Sequence, residues 1–210
     1  MTPFSRQCLR TIDSVYAICH AGPVSDLADR LLDAARQLLT ERGLDAVTIR
    51  EVARMAGVSH GAPRRHFPSR AQLLAALAAR GFAELGDRVR RAATGVAPGP
   101  ALLAAASAYV DQAAREPAMF DLMVRHDLVR GSGFRLRERS LPLVEVWVEL
   151  YAAAHPDGDR TAALVSLAAV HGIADLVAHQ AIELVGDPAV LVRAACGLSD
   201  DPAGRPGTSS

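Results

Sequence analysis

Apolar side chains recur along most of this chain at the spacing of helices. Between Ser25 and Gly43 they follow one another at intervals of three and four, which predicts a first helix with one buried face, formed by Leu27, Leu31, Ala35, Leu38 and Leu39. No stretch keeps the strict alternation of apolar and polar residues that is typical of strands. We therefore predict an all-α protein with about nine helices.

Capping signals mark where the next helices begin. A Ser or Thr followed three residues later by Glu or Gln is a capping box, and the chain has two of these, Thr48–Glu51 and Ser69–Gln72. The predicted order is a second helix from Thr48 to Gly57, a third from about His60 to His66 capped by Ser59, and a fourth from Ser69 to about Arg91.

Beyond a linker-like stretch at 94–100, Pro and Gly divide the chain into further helical segments. We predict these helices at Ala101–Arg115, Pro117–Leu128, Phe134–Ala154, Asp159–Val185 and Pro188–Leu198. Residues 1–24 lack periodicity and residues 199–210 are polar and rich in turn formers, so both are expected to be flexible. The expected domains are 25–70 and 71–198.

The charge distribution adds a functional indication. All 23 basic residues are Arg and the formal net charge is zero. Residues 48–70 nevertheless carry five Arg and one acidic residue, whereas residues 101–210 carry nine Arg and fourteen acidic residues. One short basic segment on an otherwise acidic chain is the electrostatic pattern expected of DNA binding. The alternative is that these arginines only solvate an exposed helical face.

The three cysteines, Cys8, Cys19 and Cys196, lie far apart and form no metal-ligand spacing. We predict reduced thiols, no metal and no cofactor. The apolar stretch at 12–21 is interrupted by Asp13 and His20, so we predict neither a signal peptide nor a membrane span. A cytoplasmic protein is the resulting expectation.

Residues Thr48 to His66 have the spacing of a helix-turn-helix. A short helix, a tight turn at Ala56-Gly57-Val58 and a second short helix form two rods at a steep angle. Gly57 allows the sharp turn, and Val58 is expected to pack between the rods. The second rod is then shaped to enter a DNA major groove.

At these residues the chain resembles the TetR family of bacterial transcriptional regulators. The matching residues are Thr48 to Gly61 (TIREVARMAGVSHG), His66-Phe67 and Arg70 to Leu74 (RAQLL). The resemblance implies an N-terminal three-helix DNA-binding domain followed by a helical ligand-binding and dimerisation domain. It also implies a homodimeric repressor that binds a pseudo-palindromic operator and is released by a small, mainly apolar effector.

By role, the resemblance implies a DNA-binding set made of phosphate contacts, base contacts and a helix cap. Where the family usually has an aromatic residue the chain has Arg64, which strengthens phosphate contact but loses apolar base readout. The expected phosphate contacts are Thr48, Arg50, Arg65, His66 and Arg70, with Ser59 at the start of the recognition helix and His60, Gly61 and Arg64 facing the bases.

The segment Asp159–Val185 is apolar on nearly all sides, so a single subunit cannot cover it alone. We predict that a second copy of the chain covers it, through Leu164, Leu167, Ile173, Leu176, Val177 and Leu184. Bulky residues set among alanines predict an effector pocket, with ordinary core as the alternative. The candidates are Tyr109, Phe120, Met123, His126, Trp147, Tyr151 and His171.

A polar ridge at His171, Asp175, His179 and Glu183 is open to two interpretations, a metal or pH-sensing site and a solvated helix edge, of which we favour the second. Two functions are alternatives to DNA-dependent regulation, namely catalysis and protein interaction. An enzyme is disfavoured because the chain lacks a nucleophile motif, a phosphate-binding loop and metal spacing. A protein-interaction module is distinguished from a DNA-binding protein by salt-dependent binding to duplex DNA.

Overall fold

The computed structural model describes residues 26–59, 61–125 and 136–198, with the backbone alone at 136–139. Every regular element within these ranges is an α-helix or a 3-10 turn, which confirms the predicted all-α class. The predictions made for residues 1–24 and 199–210, and for the side chains of His60 and His126, lie outside the described residues.

The N-terminal part of the fold is a three-helix unit followed by one long helix. Leu31, Ala35 and Leu38 are fully buried on the first helix, as the apolar spacing predicts, and that helix ends at Gly43, which adopts a φ of 76°. The elements are α1 (Asp26–Arg42), a 3-10 turn (Leu44–Ala46), α2 (Ile49–Met55), α3 (Ala62–His66) and α4 (Arg70–Ala93).

The capping box at Thr48 is only half formed. The Thr48 hydroxyl accepts a hydrogen bond from the Glu51 backbone N–H at 3.2 Å, which caps α2 as predicted. The reciprocal hydrogen bond of a capping box would run from the Thr48 N–H to the Glu51 carboxylate. Here the Thr48 N–H donates instead to the carbonyl of Ala46. The Glu51 carboxylate instead accepts from Arg54, at 3.0 Å from Nε and 2.9 Å from Nη2.

The start of α3 differs from the prediction. Gly61, and not Ser59, occupies the N-cap position, and no side chain caps the helix. Ser59 contributes its backbone carbonyl, which accepts from the Ala62 N–H at 3.0 Å. Pro63 lies buried in the first turn, where its missing N–H removes no helical hydrogen bond.

The C-terminal part is a bundle arranged around its first helix. That helix packs against α4 and against the two long helices that follow. One continuous apolar core runs from α1 to the last helix, so the two parts share a core. The elements are α5 (Pro98–Arg115), α6 (Pro117–Val124), α7 (Leu136–Ala154), α8 (Arg160–Ala178), a 3-10 turn (Ile182–Leu184) and α9 (Pro188–Ala195).

Several predicted boundaries move by three or four residues, including the end of α9, which lies at Ala195 and not at the predicted Leu198. α5 starts at Pro98 because proline is tolerated in the first turn, so the expected linker at 94–100 shortens. α6 ends at Val124, short of the predicted Leu128.

The largest correction concerns α8, which stops at Ala178 and does not continue to Val185. Gln180 has a φ of 57°, and its N–H donates to the carbonyl of Val177, while the Ala181 N–H donates to Leu176. These two bonds form a Schellman motif, which closes the helix end. Glycine is the usual residue at this position, and because the chain has Gln180 there, the end of the helix could not be predicted from the sequence.

Candidate nucleic-acid interface and cavity

The helix-turn-helix unit presents a basic surface. Arg50 on α2 and Arg64 and Arg65 on α3 are exposed, as are Ser59 and Gly61. Among the described residues, no acidic side chain forms a salt bridge with any of these three arginines. Their positive charge is therefore available to an anionic partner such as a phosphate backbone.

Arg54, although in the same basic segment, is neutralised locally. Its guanidinium binds Glu51 and holds the pKa of that carboxyl below its ordinary value. Arg30 on α1 donates to the carbonyl of Ala56 at 2.9 Å and thereby stabilises the turn of the helix-turn-helix. Neither role was predicted. The i,i+3 spacing of Glu51 and Arg54 was the available sequence signal for their pairing, whereas the contact of Arg30 with Ala56 does not follow from spacing.

Arg70 has a structural role that the sequence did not indicate. Its Nε donates to the carbonyl of Val47 and its Nη2 to that of Leu44, both at 2.7 Å. Arg70 is half-buried and joins the start of α4 to the segment that precedes α2. Arg70 thereby helps to position the helix-turn-helix (Thr48–His66). Its contact with phosphate stays a prediction.

Two further predicted DNA-contacting side chains that the structure describes, Thr48 and His66, are half-buried. Thr48 is engaged as the cap of α2, and the His66 ring lies beside Phe67 with centroids 6.4 Å apart. Phe67 itself is buried in the core. His66 is therefore placed at the edge of the basic surface.

A cavity of about 440 Å³ lies among the helices of the C-terminal part. Four of the predicted pocket residues line it, namely Tyr109, Met123, Trp147 and His171. The other lining residues are Phe82, Val89, Val124, Ser140, Leu143, Val144, Leu164, Leu167 and Ala168. Its size and mainly apolar lining are typical of small-molecule sites.

Two predicted pocket residues are not part of the described cavity wall. Phe120 is buried behind it, with its ring centroid 5.7 Å from Tyr109 and 5.4 Å from His171, and so supports both rings. Tyr151 lies elsewhere and packs on the ring of His155 at 4.5 Å. His155 in turn is hydrogen-bonded through Nε2 to the carbonyl of Cys196, which ties α7 to the end of α9.

One polar pair stands out in the wall of the cavity. The Tyr109 hydroxyl and Nδ1 of His171 are hydrogen-bonded at 2.9 Å, which joins α5 to α8. Burial raises the pKa of the Tyr109 phenol above its ordinary value, so the phenol keeps its proton at neutral pH. This pair therefore offers hydrogen bonding within apolar surroundings.

The contribution of α4 to the cavity was not predicted. Phe82 and Val89 line the wall, and a Cβ at Gly81 would lie 2.8 Å from Sδ of Met123 and 3.0 Å from Sδ of Met119. The methionines of α6 thus pack directly on the backbone of α4. The glycine inside a helical pattern was the available sequence signal for this close approach.

The residues predicted for a subunit interface lie in different surroundings, and their contact with a second copy stays a prediction. Leu164 and Leu167 line the cavity, Leu164 is also 39% exposed, and Ile173 is buried within its own chain at 9% exposure. Leu176 and Val177 are half-buried, whereas Leu184 is 89% exposed. Three further apolar residues of the C-terminal part are exposed and were not predicted for the interface, namely Val165, Val185 and Val190.

Of the described helices, only α8 is long and apolar enough to cross a membrane by length and composition, with a mean hydropathy of 1.7. Its packing against α5, α7 and α9 gives a different reason for this composition, since a helix covered on several sides is apolar on several sides. We therefore interpret α8 as a helix of the bundle with one uncovered apolar face. This interpretation accounts for both its apolar composition and its packing.

The polar ridge does not persist in three dimensions. His171 faces the cavity, and Glu183 lies in the separate 3-10 turn. Nε2 of His179 lies 3.5 Å from Asp121, and Nδ1 lies 3.4 Å from the Asp175 carboxylate and 2.8 Å from its backbone oxygen. The Asp175 carbonyl, and then the Asp121 charge, raise the pKa of His179 above its ordinary value. Asp121, Asp175 and His179 form a surface cluster that joins α6 to the end of α8, and its contacts are ion pairs when His179 is protonated.

The fold and the site together define a helical DNA-binding regulator, in which a basic helix-turn-helix is joined to a bundle that holds a cavity. The family model of the bacterial regulatory proteins, tetR family, matches residues 31–77. The comparison with curated proteins found no match.

Three solved structures show the same architecture. A Rhodococcus sp. RHA1 protein of unknown function is 31% identical, with a TM-score of 0.72, and the match covers 85% of this chain and 95% of that one. A TetR-family transcriptional regulator from Streptomyces coelicolor is 27% identical, with a TM-score of 0.57 and coverage of 82% and 98%. A regulatory protein of the tetR family from Rhodococcus RHA1 is 22% identical, with a TM-score of 0.64 and coverage of 83% and 97%. This chain belongs to the TetR family of bacterial transcriptional regulators.

Proposed function

We propose that the protein is a cytoplasmic transcriptional repressor that binds operator DNA and is released from it by a small, mainly apolar effector. The observation that carries the DNA-binding part is the exposed set of Arg50, Arg64 and Arg65 on the helix-turn-helix, none of which forms a salt bridge with a described acidic side chain. Three such arginines on one short unit suit phosphate contact, which supplies most of the affinity for DNA.

The effector part rests on the cavity of about 440 Å³ and on its placement. Its wall includes Phe82 and Val89 of α4, and α4 begins at the helix-turn-helix unit. A molecule that changes the position of α4 would therefore move the helix-turn-helix unit. Such coupling typically changes affinity about 5- to 150-fold.

We further propose a homodimer whose interface includes the uncovered apolar residues of α8 and of the segment after it. Val165, Val185 and Val190 are each more than half exposed, which is unfavourable for a free subunit. A dimer with twofold symmetry would read two half-sites about 34–36 Å apart or somewhat more. Sedimentation that shows only the 22.2 kDa monomer at micromolar concentration would contradict this part.

Binding to fluorescent duplex DNA across a range of salt concentrations tests the DNA assignment. Alanine at Arg50, Arg64 or Arg65 should weaken binding and flatten the slope of log affinity against log salt by about one unit each. The matched control is Arg160→Ala, since Arg160 is exposed on the far part of the fold and pairs with Glu145. A triple variant that binds DNA with unchanged affinity and slope would overturn the assignment.

A further inference from the structure

We infer that the cavity takes an uncharged, mainly apolar ligand that carries a hydrogen-bond acceptor such as a ketone or hydroxyl oxygen, and that His171 donates to this acceptor. The inference rests on the proposed effector role of the cavity. The feature behind it is the hydrogen bond between Tyr109 and His171 in an otherwise apolar wall.

The first step concerns the proton on the imidazole. The Tyr109 phenol keeps its hydrogen, and within the described part of the chain its one hydrogen-bond partner is Nδ1 of His171. When the phenol donates to Nδ1, the proton of the neutral imidazole lies on Nε2. The pair therefore presents an N–H donor.

The second step concerns where this donor lies. His171 is part of the cavity wall and is half-buried, and no described residue is hydrogen-bonded to its Nε2. Phe120 packs against both rings of the pair and fixes their orientation. A ligand in the cavity thus meets a positioned donor whose natural partner is an acceptor atom.

The third step excludes charge. The lining residues that the structure describes are apolar apart from Tyr109, His171, Ser140 and the indole N–H of Trp147, and none is an Asp, Glu or Arg. Among these residues an ion would lose its hydration without gaining a counter-charge, which is strongly unfavourable. Pairing with a carboxylate would require a protonated imidazole, and the phenol would then lose its acceptor at Nδ1.

Two matched series of compounds test the inference on the full-length protein. One is built on naphthalene, as the parent hydrocarbon, the methyl ketone, the carboxylate and the aminomethyl cation. The other is built on a decyl chain, as the alcohol, the carboxylate and the ammonium ion. Trp147 is the sole tryptophan of the chain and lines the cavity, so its fluorescence reports binding there, with calorimetry as a second measurement.

The uncharged oxygen compounds should bind at least about 10-fold more tightly than either ion of the same skeleton. The ketone should also exceed naphthalene by about 2- to 10-fold, the contribution of one hydrogen bond. Comparable binding of an ion, or no binding of the uncharged compounds in both series, would overturn the inference. These comparisons need no variant, so they hold even where a substitution unfolds the protein.

Substitutions then locate the donor. Tyr109→Phe and His171→Phe should each remove the advantage of the ketone over naphthalene, while Tyr151→Phe, an aromatic change outside the cavity, should keep it. An advantage that survives in both cavity variants would refute the role of His171. Release of operator DNA is measured separately. A ligand that binds as described but leaves DNA affinity unchanged contradicts the proposed repressor release and not the ligand class.

Discussion

Arg36 of α1 and Glu84 of α4 form a two-point ion pair, with Nη1 2.7 Å from Oε1 and Nη2 2.8 Å from Oε2. The same guanidinium also binds the carboxylate of Glu116, at the joint between α5 and α6. Arg80 adds a link from α4 to Asp33 of α1. The N-terminal part of the fold is therefore joined to the C-terminal bundle by charged contacts as well as by the shared core.

The first prediction concerns this contact. Arg36→Gln should lower the free energy of unfolding by about 1–3 kcal/mol, because it leaves two half-buried carboxylates without their shared cation. Arg160→Gln is a matched control, since Arg160 forms a two-point pair with Glu145 that is exposed to solvent, and its loss should lower the free energy of unfolding much less. Chemical denaturation measures both, and equal losses would contradict the importance assigned to Arg36.

The second prediction separates the role of Arg70 from that of the exposed arginines. Arg70→Leu should lower stability by about 1–3 kcal/mol, because two buried carbonyl hydrogen bonds to a charged donor are lost. Arg65→Leu should leave stability within about 0.5 kcal/mol, since Arg65 is exposed. Thermal unfolding monitored by circular dichroism provides the comparison. Identical melting of the two variants would show that Arg70 has no clamping role.

The third prediction uses the left-handed residue at the end of α8. Gln180→Gly should stabilise the protein by about 0.5–1 kcal/mol, because glycine adopts a φ of 57° without steric cost. Gln180→Ala keeps the side-chain penalty and serves as the control. Urea denaturation of the three proteins tests the order, and a glycine variant no more stable than the alanine variant would argue against the Schellman geometry.

The fourth prediction concerns the thiol of Cys196, which is fully buried. Burial raises its pKa to about 11, above the ordinary 9.0, so the native state resists ionisation. The stability that follows from this shift is complete below about pH 9 and is lost as the pH rises towards 11. Two pKa units correspond to about 3 kcal/mol at most.

A variant with Cys8→Ser and Cys19→Ser isolates this thiol. Its reaction with a disulfide reagent at neutral pH should occur only on unfolding, at the rate at which denaturant exposes it. Adding Cys196→Ala should remove the part of the alkaline loss of stability that begins near pH 9, whereas the buried Tyr109 phenol contributes a separate loss above pH 10. Rapid labelling of the native protein would show that the thiol is accessible.

Much of the local architecture followed from the sequence alone. Three kinds of local feature depend on interactions within a few residues and appear as predicted. They are the periodicity of the first helix, the side-chain caps at Thr48 and Ser69, and the glycine at position 57. The basic segment was equally visible, because charge is a property of composition. Local chemistry therefore determined the helix-turn-helix and its candidate DNA-binding surface.

The tertiary structure decided which side chains meet. Phe120 and Tyr151 illustrate the limit, since bulk alone made both of them predicted pocket residues. Packing buried Phe120 against Tyr109 and His171, and placed Tyr151 against His155. Arg70 and Arg65 look alike in the sequence, yet one reaches two carbonyls more than twenty residues away. Burial and long-range pairing depend on how helices cross, and the spacing within a single helix carries no information about those crossings.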